Sequence, residues 1–174
     1  ARLSQIKSDG YIDRAFSDLS SWYAAGGYYG KKSTIKFITF SGDEQTYQSW
    51  WGTPEARLTN DVAGMQEVIA NNGYTQEQAD NLLNSGRTFN YYLYDNQTDN
   101  YGQDHYQLHF SHAFDQAWSL NSALHYTRGE GYFEEFREDD DFADYGLSDV
   151  TIGGQTISST DLIRRRWLAN DFYG

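Results

Sequence analysis

The chain has 174 residues, no Cys and a formal net charge of -12. The length fits one domain, the acid excess excludes nucleic-acid partners that need clustered Lys and Arg, and the lack of Cys excludes a disulfide scaffold or a Cys-based zinc site. Aromatic residues make up 17% although the mean hydropathy is -0.77. No apolar run reaches the roughly 18 residues that a transmembrane helix needs.

In chain order, residues 2–7 read as a first strand. The opening Ala1-Arg2-Leu3-Ser4 is not a signal peptide, so an exported chain would carry one upstream. Residues 9–18 form a polar loop, and Gly30-Lys31-Lys32 joins strands over 19–29 and 33–42, the second continuing to Tyr47. Ile35 and Phe37 would face lipid. Residues 52–96 read as a long polar loop holding one short helix over 75–83, with Thr75 as N-cap, Gln78 at the reciprocal capping-box position and Gly86 beyond its end.

The strongest signal runs over 98–114, where Tyr106, Leu108, Phe110 and Phe114 alternate with His105, Gln107, His109 and Ser111. After Asp115-Gln116-Ala117 the alternation resumes, with Trp118, Leu120, Leu124 and Tyr126 opposite Ser119, Asn121, His125 and Thr127. Residues 129–159 read as a third long loop whose acids, Glu134, Glu135 and Glu138 to Asp141, are a solvated charge run. A last strand spans 161–173. Its Arg164-Arg165-Arg166 must turn at least one Arg outward, at a cost of about 2 to 4 kcal/mol at a bilayer midplane, so the triplet belongs near or above the outer rim.

Tight turns alternating with long loops, half-apolar strands and abundant aromatics make the expected fold all-β: an antiparallel transmembrane β-barrel segment of about six strands, with long extracellular loops and a short loop helix. Known single-chain membrane barrels close with about eight strands or more, and open edges in hydrocarbon are costly, so further strands are expected outside this sequence. Two alternatives keep an antiparallel sheet. In a soluble carbohydrate-binding β-sandwich, Tyr106, Leu108, Leu124 and Tyr126 would pack on a second sheet; an outer-membrane barrel enzyme would need a catalytic cluster at its rim. Enzyme chemistry is not expected, because Gly-x-Ser-x-Gly, His-Glu-x-x-His and phosphate-cradling Gly loops are all missing.

Several blocks in order carry a resemblance: Ser8-Asp9-Gly10-Tyr11-Ile12-Asp13-Arg14-Ala15, Gly27-Tyr28-Tyr29-Gly30-Lys31-Lys32, Phe40-Ser41-Gly42-Asp43-Glu44-Gln45-Thr46-Tyr47-Gln48-Ser49-Trp50, Asn96-Gln97-Thr98-Asp99-Asn100-Tyr101, Asp104-His105-Tyr106-Gln107-Leu108-His109-Phe110-Ser111-His112 and Asp161-Leu162-Ile163-Arg164-Arg165-Arg166-Trp167-Leu168. Across nearly its whole length the chain resembles the TonB-dependent outer-membrane receptors common in Bacteroides-like bacteria. The resemblance implies residues 1–174 as part of a barrel of about twenty-two strands, with the plug, the energy-coupling box and the remaining strands lying elsewhere. It implies uptake across the bacterial outer membrane of a scarce, bulky nutrient: an iron-siderophore or other metal chelate, haem, cobalamin or a glycan. The implied partners are the TonB complex, acting through the plug, membrane lipid and a surface lipoprotein; no resident cofactor is implied.

Candidate ligand contacts fall in two groups. Tyr47, Trp50 and Trp51 can stack on a sugar or aromatic chelate at a barrel mouth, or serve as interfacial girdle residues. His105, Gln107, His109 and His125 would line a lumen. His105 and His109 lie about 13 Å apart along a strand, too far to chelate together, and pairing of Phe114 with Trp118 would set Gln107 opposite His125 with the other two His on diagonals of about 7 to 8 Å. Hydrogen bonding in a lumen is the expected role, with no metal site. The acidic run lacks the spaced Gly-containing loop of an EF-hand.

Overall fold

The computed structural model describes residues 1–174. The chain is mostly β, with few helices. Six long strands form one open antiparallel sheet: β1 Arg2–Ser8, β2 Ser17–Tyr29, β3 Ser33–Tyr47, β4 Thr98–Ala113, β5 Ser119–Asp141 and β8 Ser159–Tyr173. Their order is β1-β2-β3-β4-β5-β8, so each strand pairs with its sequence neighbour except where the small hairpin β6 Val150–Ile152 and β7 Gln155–Ile157 intervenes. The sheet does not close: β1 pairs only with β2, and β8 only with β5.

The two tight turns lie at one end. Gly30 N–H donates to Ser33 O at 2.8 Å. At the other turn the Asp115 carboxylate accepts from the N–H groups of Ala117 and Trp118 at 2.7 and 2.8 Å, an Asx turn of the kind Asp favours. Phe114 N–H donates to Trp118 O, which fixes the register and sets Gln107 opposite His125. The long connections lie at the opposite end.

Residues directly opposite one another share a face, so the register defines rows across the sheet. Nearest the turns, one face carries Tyr28, Ile35 and Phe110 in one row, Phe37, Leu108 and Leu124 in the next, and Tyr106, Tyr126 and Tyr173 in a third. The following row is Trp22, Ser41, Asp104, Arg128 and Asp171. Above it come Lys7 paired with Asp18 at 2.7 Å and Arg165 paired with Glu134. From Phe114 to Tyr106 the apolar band therefore runs about 27 Å along the strand, or about 20 Å across if strands tilt by about 40°. The opposite face mixes His105, His109, His125, Gln103 and Lys36 with Phe40 and Tyr101.

The core is not in the sheet. Only 15 of the 174 residues are buried, and the one cluster of buried apolar side chains is Met65, Leu82 and Phe89 in the connection between β3 and β4. That connection holds three helices, α1 Glu55–Leu58, α2 Val62–Asn72 and α3 Gln76–Asn84, which corrects the reading of one short helix in a structureless loop. The capping box of α3 forms as its sequence requires: Gln78 N–H donates to Thr75 Oγ1 and Thr75 N–H to Gln78 Oε1. For α2, Asp61 accepts from Gly64 N–H, and Gly73 ends the helix at φ 61°, a left-handed conformation that glycine adopts without penalty.

A second correction concerns β5. Residues 129–141 are not loop but its upper half, so the acidic run lies on a strand. Glu134 is 4% exposed: it accepts from Asn96 and Arg165, while Arg164 binds Glu135 with Nε at 2.8 Å and Nη2 at 2.6 Å. The strand persists because the Arg side chains of β8 neutralise the carboxylates directly across from them. On its other side, Gly131 lets β5 approach β4 closely, since a Cβ there would overlap Asn100 O and the Tyr101 backbone.

Candidate functional site

The site is built where the β3–β4 connection is tied to the sheet. Tyr47, the last residue of β3, is 4% exposed and donates its phenol to Tyr94 O at 2.6 Å. Gln48 N–H donates to Gln97 O at 2.9 Å, and its side chain to Glu134 O at 2.7 Å. Asn90 Nδ2 donates to both Asp13 O and Gln48 O, and Asp13 N–H to Thr88 O. These bonds join the β1–β2 loop, the β3–β4 connection and β5 into one rim. Desolvation in this joint pushes the phenols of Tyr47 and Tyr92 up to about 12.

Between the connection and the top of β5 lies a cleft of about 890 Å³, within the size range of ligand sites. Its aromatic lining is Trp51, Tyr91, Tyr92, Tyr94 and Phe136. Tyr94 stacks on Phe136 with centroids 5.0 Å apart at 11°, and Tyr91 meets Tyr92 edge to face at 5.4 Å. The polar lining includes Glu77, Asp95, Glu135, Glu138 and Asp140, with Arg137 as the one cation. A register shift between Arg137 and Asp140 is a bulge of the kind that re-aims side chains beside sites. Hydrogen bonds from Arg137 and Tyr145 hold the Asp140 carboxyl below its usual range. A smaller hollow of about 430 Å³ lies lower on the sheet, between Asp43, Asp104, Glu130 and Trp167.

A scan against protein-family models and searches of curated proteins and of solved structures found no match, so the cleft is interpreted through its own geometry. Of the residues singled out in the sequence, Trp51 lines it and is 65% exposed. Trp50 stands beside it, edge-on to Phe133 at 5.2 Å and Tyr92 at 6.2 Å. Tyr47 is an anchor beneath it, with its hydroxyl already committed to Tyr94 O. The structure does not bring the other four candidates to this place.

His105, Gln107, His109 and His125 lie lower, on the mixed face. His105 stacks on Phe40 at 4.2 Å and bonds Gln103 and Thr127 at 2.9 and 3.0 Å; His109 bonds Gln107 at 3.3 Å. His125 sits opposite Gln107, and its backbone exchanges two hydrogen bonds with Gly174. No group of three or more His, Asp or Glu side chains gathers at metal-binding distance. Residues that sequence reasoning missed are Tyr91, Tyr92, Tyr94, Gln97 and Phe136. The available signal was the aromatic run Tyr91-Tyr92-Leu93-Tyr94 between the helix and β4, too many large rings for a connection serving only as a spacer.

Proposed function

We propose that the chain is a transmembrane segment of the barrel of a TonB-dependent outer-membrane receptor, taking up a scarce, bulky nutrient. The observation that carries this reading is the apolar band beside the tight turns. Tyr106, Leu108, Leu124 and Tyr126 are 40, 41, 58 and 39% exposed, and the only other sheet is the small β6–β7 hairpin. Moving the exposed apolar surface of such side chains from water into acyl chains is worth about 25 cal/mol per Å², and tyrosines at the edge of the band suit a headgroup boundary. A β-sandwich would bury the same four residues against a partner sheet. In this reading β1 and β8 pair with further strands to close the cylinder, the mixed face lines the lumen, the aromatic cleft belongs to the outer vestibule, and TonB, lipid and a surface lipoprotein are the partners. No helix of the chain is long and apolar enough to cross a membrane, so any crossing is made by strands.

The natural lack of Cys permits a direct test. Spin labels placed singly at Leu124→Cys and Glu130→Cys in the chain reconstituted in vesicles should differ: the first relaxed by oxygen dissolved in the bilayer, the second by an aqueous nickel chelate. A monodisperse, folded monomer in detergent-free buffer, with both labels reporting water, overturns the reading.

A further inference from the structure

We infer that the rim cleft captures an organic cation, an ammonium or guanidinium group carried on a body that stacks against aromatic rings. The inference stands on the cleft alone; where the transport reading also holds, it names the class of cargo first held at the vestibule. Two observations carry it.

The first is that the cleft offers stacking surface and leaves part of its polar capacity unspent. Trp51, Tyr91 and Tyr94 present ring surface to a space of about 890 Å³. Gln97 borders that space, is only 6% exposed, and its side-chain amide makes no hydrogen bond within the chain. Its polar atoms are open to the cleft instead of sealed away from it, so a polar ligand can bond them. The second observation is the charge balance. The five ion pairs of the chain use Glu135 and Asp140 but none of Glu77, Asp95 and Glu138, and Arg137 is itself held by Asp140 at 3.0 Å. Three uncompensated carboxylates beside ring faces repel an anion. They attract a cation, which gains a second time from the ring quadrupoles.

The test compares three peptides that differ at one position: acetyl-Phe-Arg-amide, its neutral near-isostere acetyl-Phe-citrulline-amide, and the anionic acetyl-Phe-Glu-amide. They are titrated by calorimetry against the full chain in the detergent or lipid that preserves its β-sheet spectrum. The Arg peptide should bind about tenfold or more tighter than the citrulline peptide, weaken with added salt, and lose that advantage in the Glu77→Gln/Asp95→Asn/Glu138→Gln variant, while the Glu peptide does not bind. All three carboxylates are exposed, so this variant should keep the fold, and Gln97→Leu should weaken both the Arg and the citrulline peptide. Equal affinity for the Arg and citrulline peptides, binding of the Glu peptide, or no binding to a folded chain overturns the inference. The spin-label experiment reports separately on the bilayer, so either idea can fail without the other.

Discussion

Tyr47 shows how one hydroxyl can hold two parts of the molecule together. Its phenol donates to Tyr94 O at 2.6 Å, and burial pushes it up from the ordinary 10 to about 12. Once the connection detaches, the phenol ionises near its ordinary value, so its contribution to docking is complete below about pH 10 and disappears as pH climbs from there toward about 12. Near-UV circular dichroism followed across that window should fall more steeply for the natural chain than for Tyr47→Phe, which should also start about 1 kcal/mol weaker at neutral pH through loss of the hydrogen bond. Parallel curves would show that the hydroxyl does no docking. The residue type hinted at a site, and burial shows where its hydroxyl goes, to Tyr94 O beneath the cleft.

At the scale of elements, β4 and β5 depend on a close approach at Gly131. Gly131→Ala should separate the strands and destabilise the sheet by about 1 to 3 kcal/mol. Gly42→Ala, whose added carbon would come no nearer than 3.7 Å to its neighbours, should stay within about 0.5 kcal/mol. Denaturant titration of the two variants side by side checks the contrast. The lower halves of the strands were legible because period two repeats there without interruption: Tyr106, Leu108 and Phe110 announce one face and His105, Gln107 and His109 the other. The upper half of β5 was not, since Gly129, Gly131 and the acids from Glu134 onward have poor strand propensity, and their pairing depends on Arg164 and Arg165 some thirty positions later. Helix α2 went unread because its few apolar positions are hidden within a long polar stretch, and its Asp61 cap and Gly73 stop are residue types equally at home in turns. Of the cleft, Trp51 and the aromatic run 91–94 were visible in the sequence, but its assembly was not, because residues 91–97 and 135–140 meet only through the fold.

For the whole molecule, the division between the apolar band and the charged rows above it makes solvent preference a function of height. If the band meets acyl chains, Leu108→Arg and Leu124→Arg should each cost about 2 to 4 kcal/mol in lipid, whereas Asp104→Arg, one row above the tyrosines, should cost about 0 to 1 kcal/mol. Urea titration of folding into vesicles measures all three; equal costs at the three heights would remove the bilayer from the account. The nucleus formed by Met65, Leu82 and Phe89 has a different consequence. Because the rim assembly has its own oily centre and meets the sheet through a limited set of hydrogen bonds and ring contacts, it can be retailored or locally melted while the strands beneath keep their alignment.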